Sequence, residues 1–204
     1  MQRLNDVVEI KSGPNLSNRI VGPLGDVRID HKLPIDPNGN VLIVQQGDIT
    51  RKGISSQLQR INYEKSDRDR LRDGDVLLRS KGSPILAAEY KPGDELPTIA
   101  AAAVVILRPI MSVPTIQPQY LVWLLNSTWG QNMFMKIKTG THISMIAIRD
   151  LQQISIPLPS IDEQNRICEL SDLASRHEEL AIQYREKIDE LLVARTLDSK
   201  TART

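Results

Sequence analysis

Two short stretches of the sequence combine basic and small polar side chains, a composition typical of loops that contact nucleic acid. One is Arg79-Ser80-Lys81-Gly82-Ser83, and the other surrounds Gly140. Arg and Lys can donate hydrogen bonds to guanine or to phosphate, and Ser and Thr can contact either group. An alternative for the second stretch is that Gly140 only ends a helix whose last turn the lysines stabilise. The candidate contacts in these stretches are Arg79, Ser80, Lys81, Lys136, Lys138, Thr139, Thr141 and His142.

The segment from Arg51 to Lys81 carries an excess of positive charge. It contains nine basic and five acidic residues. Basic side chains can hold phosphates and release counterions, so Arg51 and Lys52 join the candidate DNA contacts. Acidic and basic residues alternate over residues 67–70, however, and that pattern is equally typical of a solvated surface.

Few side chains of the sequence could take part in catalysis, and their spacing is unlike that of a catalytic site. His142 could be a general base or a ligand, but the chain has three histidines and none has the spacing of a metal site. Cys168 is better explained as a small packed side chain. Glu9-Ile10-Lys11, with Asp6 upstream, is similar to a nuclease metal triad, although such strings are common by chance. We therefore expect no catalytic residue, no metal and no cofactor.

The overall composition limits the class of protein. The formal net charge is +1, so any surface for nucleic acid must be local. The single cysteine excludes an intramolecular disulfide and fits a reducing compartment. The longest apolar or small run, over residues 99–107, has nine residues, against ~20 for a membrane span. Because charged residues stand where a signal peptide would be apolar, we expect a cytoplasmic protein.

Residues 1–157 have the pattern of a domain that mixes strands with short helices, so the expected fold class is α/β. Short runs of Val, Ile and Leu between Gly, Pro, Asn and Asp predict strands. Pro118 begins a helix with one apolar face, and Ser127 caps a second helix over residues 128–138. The predicted strands cover residues 6–10, 41–44, 75–79, 85–90, 101–107 and 154–156.

A different pattern occupies residues 158–204. Ser160-Ile161-Asp162-Glu163 is a capping box, which predicts the start of a helix. No Gly or Pro follows Pro159, and apolar or small residues then recur at heptad spacing. The positions of this seam are Ile167, Leu170, Ala174, His177, Ala181, Tyr184, Ile188 and Leu191.

The length of this helix suggests a role in assembly. From Ser160 to Arg195 it is ~54 Å long, whereas a compact domain of about 157 residues is ~39 Å across. We therefore expect the helix to extend beyond its domain and to pack against a helix of a second copy or of another protein. The alternative is a helix folded back on its own domain. The predicted division is an α/β domain over residues 1–157 and a long coiled-coil-like helix for dimerisation or partner binding over residues 158–204.

The run Ile156-Pro157-Leu158-Pro159, with Glu163-Gln164 and Ile167 leading into the long helix, is the most specific motif of the chain. With it, residues 118–167 resemble the end of a target-recognition domain from the specificity subunit of type I restriction-modification systems. Residues 4–13 resemble the family's opening strand and glycine turn, and residues 71–78 resemble its glycine-aspartate element. The resemblance therefore covers nearly the whole chain.

This resemblance implies a non-catalytic protein that reads double-stranded DNA for methyltransferase and restriction subunits. The family's usual subunit has two recognition domains in tandem, whereas this sequence has one domain and one helix, so it resembles a half-subunit. A half-subunit implies a homodimer formed through the C-terminal helix and a bipartite DNA site. The alternative is a coiled-coil assembly or adaptor protein without its own DNA recognition, which the near-neutral net charge leaves open.

Overall fold

A computed structural model describes residues 1–16, 35–64, 67–93, 96–110, 116–137 and 145–201, with side chains described as far as residue 196. The chain forms two compact units, Met1–Gln164 and Asn165–Thr204. The sequence pattern changes after residue 157, but the first compact unit also includes the first turn of the long helix. Within the described residues, no helix is both long and apolar enough to cross a membrane.

The first unit contains short strands and three short helices, and the long helix α4 begins at its end. The strands are β1 (Gln2–Arg3), β2 (Val8–Ser12), β3 (Val41–Val44), β4 (Ile49–Thr50), β5 (Gly53–Ile54), β6 (Gln59–Ile61), β7 (Val76–Arg79), β8 (Ala87–Glu89), β9 (Thr98–Ala100), β10 (Val104–Pro109) and β11 (Ser155–Ile156). The helices are α1 (Pro118–Asn126), α2 (Thr128–Ile137), α3 (Ile148–Gln152) and α4 (Ile161–Thr201).

Two sheets hold the core of the first unit. An antiparallel sheet of four strands has the order β2, β10, β7, β8. A smaller sheet has the order β6, β3, β9, with β3 and β9 parallel. Leu77 and Ile106, from neighbouring strands of the larger sheet, pack in one buried cluster with Val44 from the smaller sheet. Burial of such side chains is the main favourable term in folding.

The predicted α/β fold class is confirmed, and most predicted elements are present with shifted ends. Residues 41–44 form β3 as predicted, and residues 85–90 contain β8. The apolar run from residue 99 to residue 107 is divided between β9 and β10, which lie in different sheets. The backbone N–H of Val104 donates to the carbonyl of Ala101 in the turn that separates them. The strands that the sequence does not predict, β1, β4, β5, β6 and β9, have two or three residues each.

A buried ion pair fixes the start of β7 against β10. Both Oδ atoms of Asp75 accept hydrogen bonds from Arg108, each at 2.7 Å, and Asp75 also accepts one from the backbone N–H of Arg72. The hydrogen bond to Asp75 raises the pKa of the Arg108 guanidinium. Gly74 has φ +79°, and a Cβ there would lie 3.2 Å from Pro118, so this turn requires glycine. The glycine-aspartate element therefore has a structural role.

Helices α1 and α2 cover the outer edge of the larger sheet. The Asn126 amide accepts from the backbone N–H of Ala87 and donates to its carbonyl. The Gln131 amide makes the same pair of hydrogen bonds with Ile85. These side chains take the place of a neighbouring strand and satisfy an edge that would otherwise be unpaired. A Cβ on Gly130 would collide with carbonyl oxygens of α1, so glycine permits the close contact between the two helices.

The first turn of α4 is joined to α1 by Gln164, which is 1% exposed. Its Oε1 accepts from the backbone N–H of Gln117, and its Nε2 donates to the carbonyl of Pro159. The backbone N–H of Glu163 donates to Ser160 Oγ at 3.4 Å, as in the predicted helix cap. The first compact unit therefore extends to Gln164.

Candidate nucleic-acid interface

The loop after β7 and the segment before α3 lie side by side, although about 60 residues separate them in the sequence. Lys81 pairs with Met145 in an isolated antiparallel β-bridge. The backbone N–H of Ile146 donates to the carbonyl of Ser80 at 3.0 Å. Lys81 and the next three residues are exposed, and Met145 is 43% exposed. The structure therefore brings the Lys81 loop next to Met145 and Ile146.

Ser80 and Gln46 hold the base of this loop in place. Ser80 is 5% exposed, and its hydroxyl donates to the carbonyl of Ala103 at 2.8 Å. The Gln46 amide donates to the same carbonyl at 2.5 Å and to Ser80 Oγ at 3.3 Å. The sequence makes Ser80 a candidate DNA contact, but its position is that of a residue that orders the loop.

Arg79 lies beneath the loop and is half-buried. Its Nη2 donates to the carbonyl of Pro84 at 3.3 Å. Gly82 has φ +95°, and a Cβ there would lie 3.1 Å from Arg79 Nη2, so glycine lets the loop close over the guanidinium. Arg79 Nε is buried and has no hydrogen-bond partner among the described residues. Arg79 is therefore placed to support the loop, and Lys81 is the basic side chain that the loop exposes.

The remaining predicted contacts lie elsewhere on the first unit or outside the described residues. Arg51 and Lys52 are exposed in the turn between β4 and β5. Thr50 orders that turn, because its Oγ1 donates to the carbonyl of Gly53 and accepts from the N–H of Lys52. Lys136 is exposed in the last turn of α2. The predicted contacts outside the described residues are Lys138, Thr139, Thr141 and His142.

Sequence reasoning missed Gln46 and Met145 as parts of this region. Gln46 precedes Ser80 by 34 residues, and no local pattern links the two. Met145 follows a stretch whose basic and hydroxyl side chains suggest DNA contact, and nothing in the sequence shows that it pairs with Lys81. Both relations depend on tertiary structure alone.

The seam positions of α4 carry side chains that are largely exposed in the single chain. Ile167 is half-buried, and the other seven predicted seam residues are exposed. Leu170, Tyr184 and Leu191 are 65%, 71% and 60% exposed. Leu173 and Leu180, which the heptad assignment does not include, are 60% and 64% exposed. Leu173 and Leu180 lie seven residues apart, each directly before a seam alanine, and this spacing could have identified them from the sequence. Together with the eight seam positions, they form what we call the α4 seam.

No family model and no curated protein matches the sequence. Solved structures, however, do match the fold. One solved structure, from a study of complex assembly and conformational transition of the type I restriction-modification system, has a TM-score of 0.58 and 21% identity, covering 86% of this chain and 38% of that one. The HsdS subunit from Thermoanaerobacter tengcongensis has a TM-score of 0.55 and 22% identity, covering 86% and 37%. The type I S subunit from M. genitalium has a TM-score of 0.51 and 18% identity, covering 88% and 40%.

These similarities define the class of fold. The chain has a mixed α/β domain followed by a long helix, as in the HsdS specificity subunits of type I restriction-modification systems. The resemblance predicted from the sequence is therefore confirmed by structures that cover most of the chain. The chain itself spans about two fifths of the length of each of these proteins.

Proposed function

We propose that this protein confers DNA specificity on a type I restriction-modification complex. In this role it binds double-stranded DNA in a sequence-specific manner and directs methyltransferase and restriction subunits to a bipartite site. The observation that carries the proposal is the structural match to specificity subunits of type I restriction-modification systems, which covers 86% to 88% of this chain. The matched fold is a mixed α/β domain followed by a long helix, which fits a recognition domain with an assembly helix.

The exposed Lys81 loop supports DNA contact by the first unit. It lies at one end of the larger sheet, next to Met145, and its base is fixed by buried hydrogen bonds. A loop that is already ordered loses little entropy on binding. Lys81 can hold a phosphate or donate to a guanine. Arg51, Lys52 and Lys136 supply further exposed positive charge on the same unit.

We assign catalysis to other subunits. The described residues contain no group of three or more His, Cys, Asp or Glu side chains that could hold a metal ion. Nor does the sequence contain a methyltransferase motif of the Asn-Pro-Pro-Tyr type or a glycine loop for phosphate binding. In the proposed function the protein is the recognition subunit, and the α4 seam binds a second copy or a helix of a partner subunit.

The exposed α4 seam also favours a second candidate function. A coiled-coil adaptor without DNA recognition would need the same apolar helix surface. The two functions differ in the consequence of changing the Lys81 loop, since an adaptor does not use that loop.

The test is methylation profiling of genomic DNA in cells with the gene present, deleted, or carrying Lys81→Ala. We expect one bipartite motif to lose its methylation on deletion. Lys81→Ala should reduce methylation of that motif. In binding assays it should lower the salt dependence by about one unit of slope for each bound recognition domain, because each domain loses one phosphate contact. The matched control is Lys91→Ala, whose side chain is 66% exposed beside Glu89 at the opposite end of the β7–β8 pair. A methylation pattern that does not depend on the gene would contradict the proposal.

A further inference from the structure

Three glutamine side chains lie at the end of the first unit that carries the Lys81 loop. Gln45 and Gln46 follow β3, and Gln59 begins the neighbouring strand β6. The Gln46 amide bonds to Ser80, which directly precedes Lys81. We propose that Gln59 reads an adenine in the major groove of duplex DNA and that Gln45 positions it. The inference rests on the proposed function, and it goes further by naming a residue that sets the sequence specificity and the base that it selects.

The amide of Gln59 is held in one orientation by a hydrogen bond. Gln45 Nε2 donates to Gln59 Oε1 at 2.7 Å. A glutamine amide has two N–H donors and an oxygen with two lone pairs, so Gln59 keeps one lone pair and both donors. Among the described residues, none accepts a hydrogen bond from Gln59 Nε2. Because Gln59 is exposed, these groups are accessible to DNA.

The groups that Gln59 keeps match the major-groove edge of adenine. Adenine presents the N7 acceptor and the N6 amino donor side by side, and a glutamine amide bonds to both. Gln59 Nε2 donates to N7, and the remaining lone pair of Oε1 accepts from N6. Guanine presents two acceptors at the same edge, so the amide oxygen would face another acceptor and lose its hydrogen bond. The arrangement therefore selects adenine over guanine.

The position of Gln45 is fixed by its own backbone. Its N–H donates to Asp48 Oδ2 at 2.7 Å, and its carbonyl accepts from the N–H of Asp48 at 3.1 Å. A side chain that is ordered before binding loses less entropy when it binds. Gln45 is therefore a positioning residue, which directs the Gln59 amide without contacting the base.

The backbone beside these glutamines is open to a ligand. Gly47 is exposed, and a Cβ there would meet no atom within 4 Å. Its φ is not positive, so the fold does not require glycine at this position. A residue without a side chain does, however, let a ligand come close to the backbone. Because Gln46 directly precedes Gly47 and bonds to Ser80, this open backbone and the Lys81 loop belong to one surface.

The bond between Gln45 and Gln59 is not needed to pair the two strands. Strands β3 and β6 pair over three residue positions, and both Ile43 and Ile61 are 0% exposed. The core therefore holds β6 in place without the amide of Gln59. We expect Gln59→Ala to leave the unfolding midpoint of the first unit unchanged, which serves as the folding control.

Selection of duplexes from a random pool tests the inference, with the full-length protein and the methyltransferase subunit that we propose as its partner. The wild type should enrich a motif with A·T at the position that Gln59 reads. Gln59→Ala should lower the preference at that position by about 5- to 150-fold, the range for one bidentate contact. Gln59→Glu should favour cytosine there, because a carboxylate accepts from its N4 amino group. The matched control is Gln119→Ala, an exposed glutamine on α1, which should keep the motif.

Two further measurements separate a base contact from other roles. Gln59→Ala should keep the slope of log affinity against log salt concentration, whereas Lys81→Ala should lower it, because only the lysine holds a phosphate. Gln45→Ala should weaken the preference at the same base pair as Gln59→Ala, and an effect at a different base pair would overturn its positioning role.

The outcomes distinguish this inference from the proposed function. A motif that Gln59→Ala leaves unchanged would overturn the inference while the proposed function stands. A loss of preference spread evenly over all positions would also overturn it, since that result indicates a structural role for Gln59. Enrichment of no motif by the wild type would contradict the proposed function and the inference with it.

Discussion

The first unit and the helix after it differ in the exposure of their side chains and in where the bonding partners of those side chains lie. In the first unit, polar groups are bonded to residues far along the chain, as Arg108 is to Asp75. In the second unit, Lys187 pairs with Glu190, and Thr196 bonds to the carbonyls of its own helix. Residues 172–196 are all exposed. A helix whose apolar surface is exposed depends on a partner, whereas the first unit has a core of its own.

Asp75→Ala should have the largest effect on the stability of the first unit, because it breaks an ion pair between distant segments of the chain. The side chains of Arg108 and Asp75 are 11% and 1% exposed, so the variant leaves a nearly buried guanidinium without its carboxylate. We expect a loss of about 3–5 kcal/mol in the free energy of unfolding, measured by chemical denaturation.

Two control variants separate the buried pair from an ordinary one. Asp75→Ala combined with Arg108→Leu should lose less than Asp75→Ala alone, because no unpaired charge remains. Glu190→Ala breaks an exposed pair on α4 and should cost ~0.5 kcal/mol or less. Equal losses for Asp75→Ala and Glu190→Ala would contradict the contrast between the two units.

Leu170→Glu together with Ala181→Glu should have a large effect on association and almost none on the first unit. Both side chains are exposed in the single chain, but both lie in the α4 seam, where a carboxylate would have to be buried on pairing. We expect a monomer by sedimentation and an unchanged unfolding midpoint for the first unit. Glu169→Gln and Asp172→Asn, on the outer side of α4, should leave the mass unchanged.

Glu89→Gln should produce the smallest change in stability, and it tests the electrostatics of the first unit. Burial raises the pKa of the Glu89 carboxyl, and nearby Lys91 only partly offsets this. A raised pKa in the folded state means that ionisation destabilises the fold as pH rises through that pKa. The variant should therefore be more stable than the wild type at pH ~7. The difference should vanish below the ordinary glutamate value of 4.5, where both states are protonated.

The sequence predicts those features that depend on local periodicity. The apolar runs locate β3 and β7, and heptad spacing locates the α4 seam. The arrangement around Lys81 could not be predicted, because Ser80, Gln46 and Ala103 are joined by hydrogen bonds between distant segments. Residue type alone makes Arg79, Ser80 and Lys81 equal candidates for DNA contact. The structure separates them, because the burial of Arg79 and Ser80 suits these two residues to supporting the loop.

In the proposed function, the first unit reads DNA and the α4 seam brings a second recognition domain to the same site. The most direct test is selection from a random pool of duplexes, with the full-length protein and the methyltransferase subunit that we propose as its partner. We predict enrichment of an inverted repeat with unread bases between the halves, because a two-fold pair of identical domains favours identical half-sites in opposite orientation. The variant with Leu170→Glu and Ala181→Glu should lose the requirement for a second half-site. Enrichment of an asymmetric motif, or of no motif, would contradict the account.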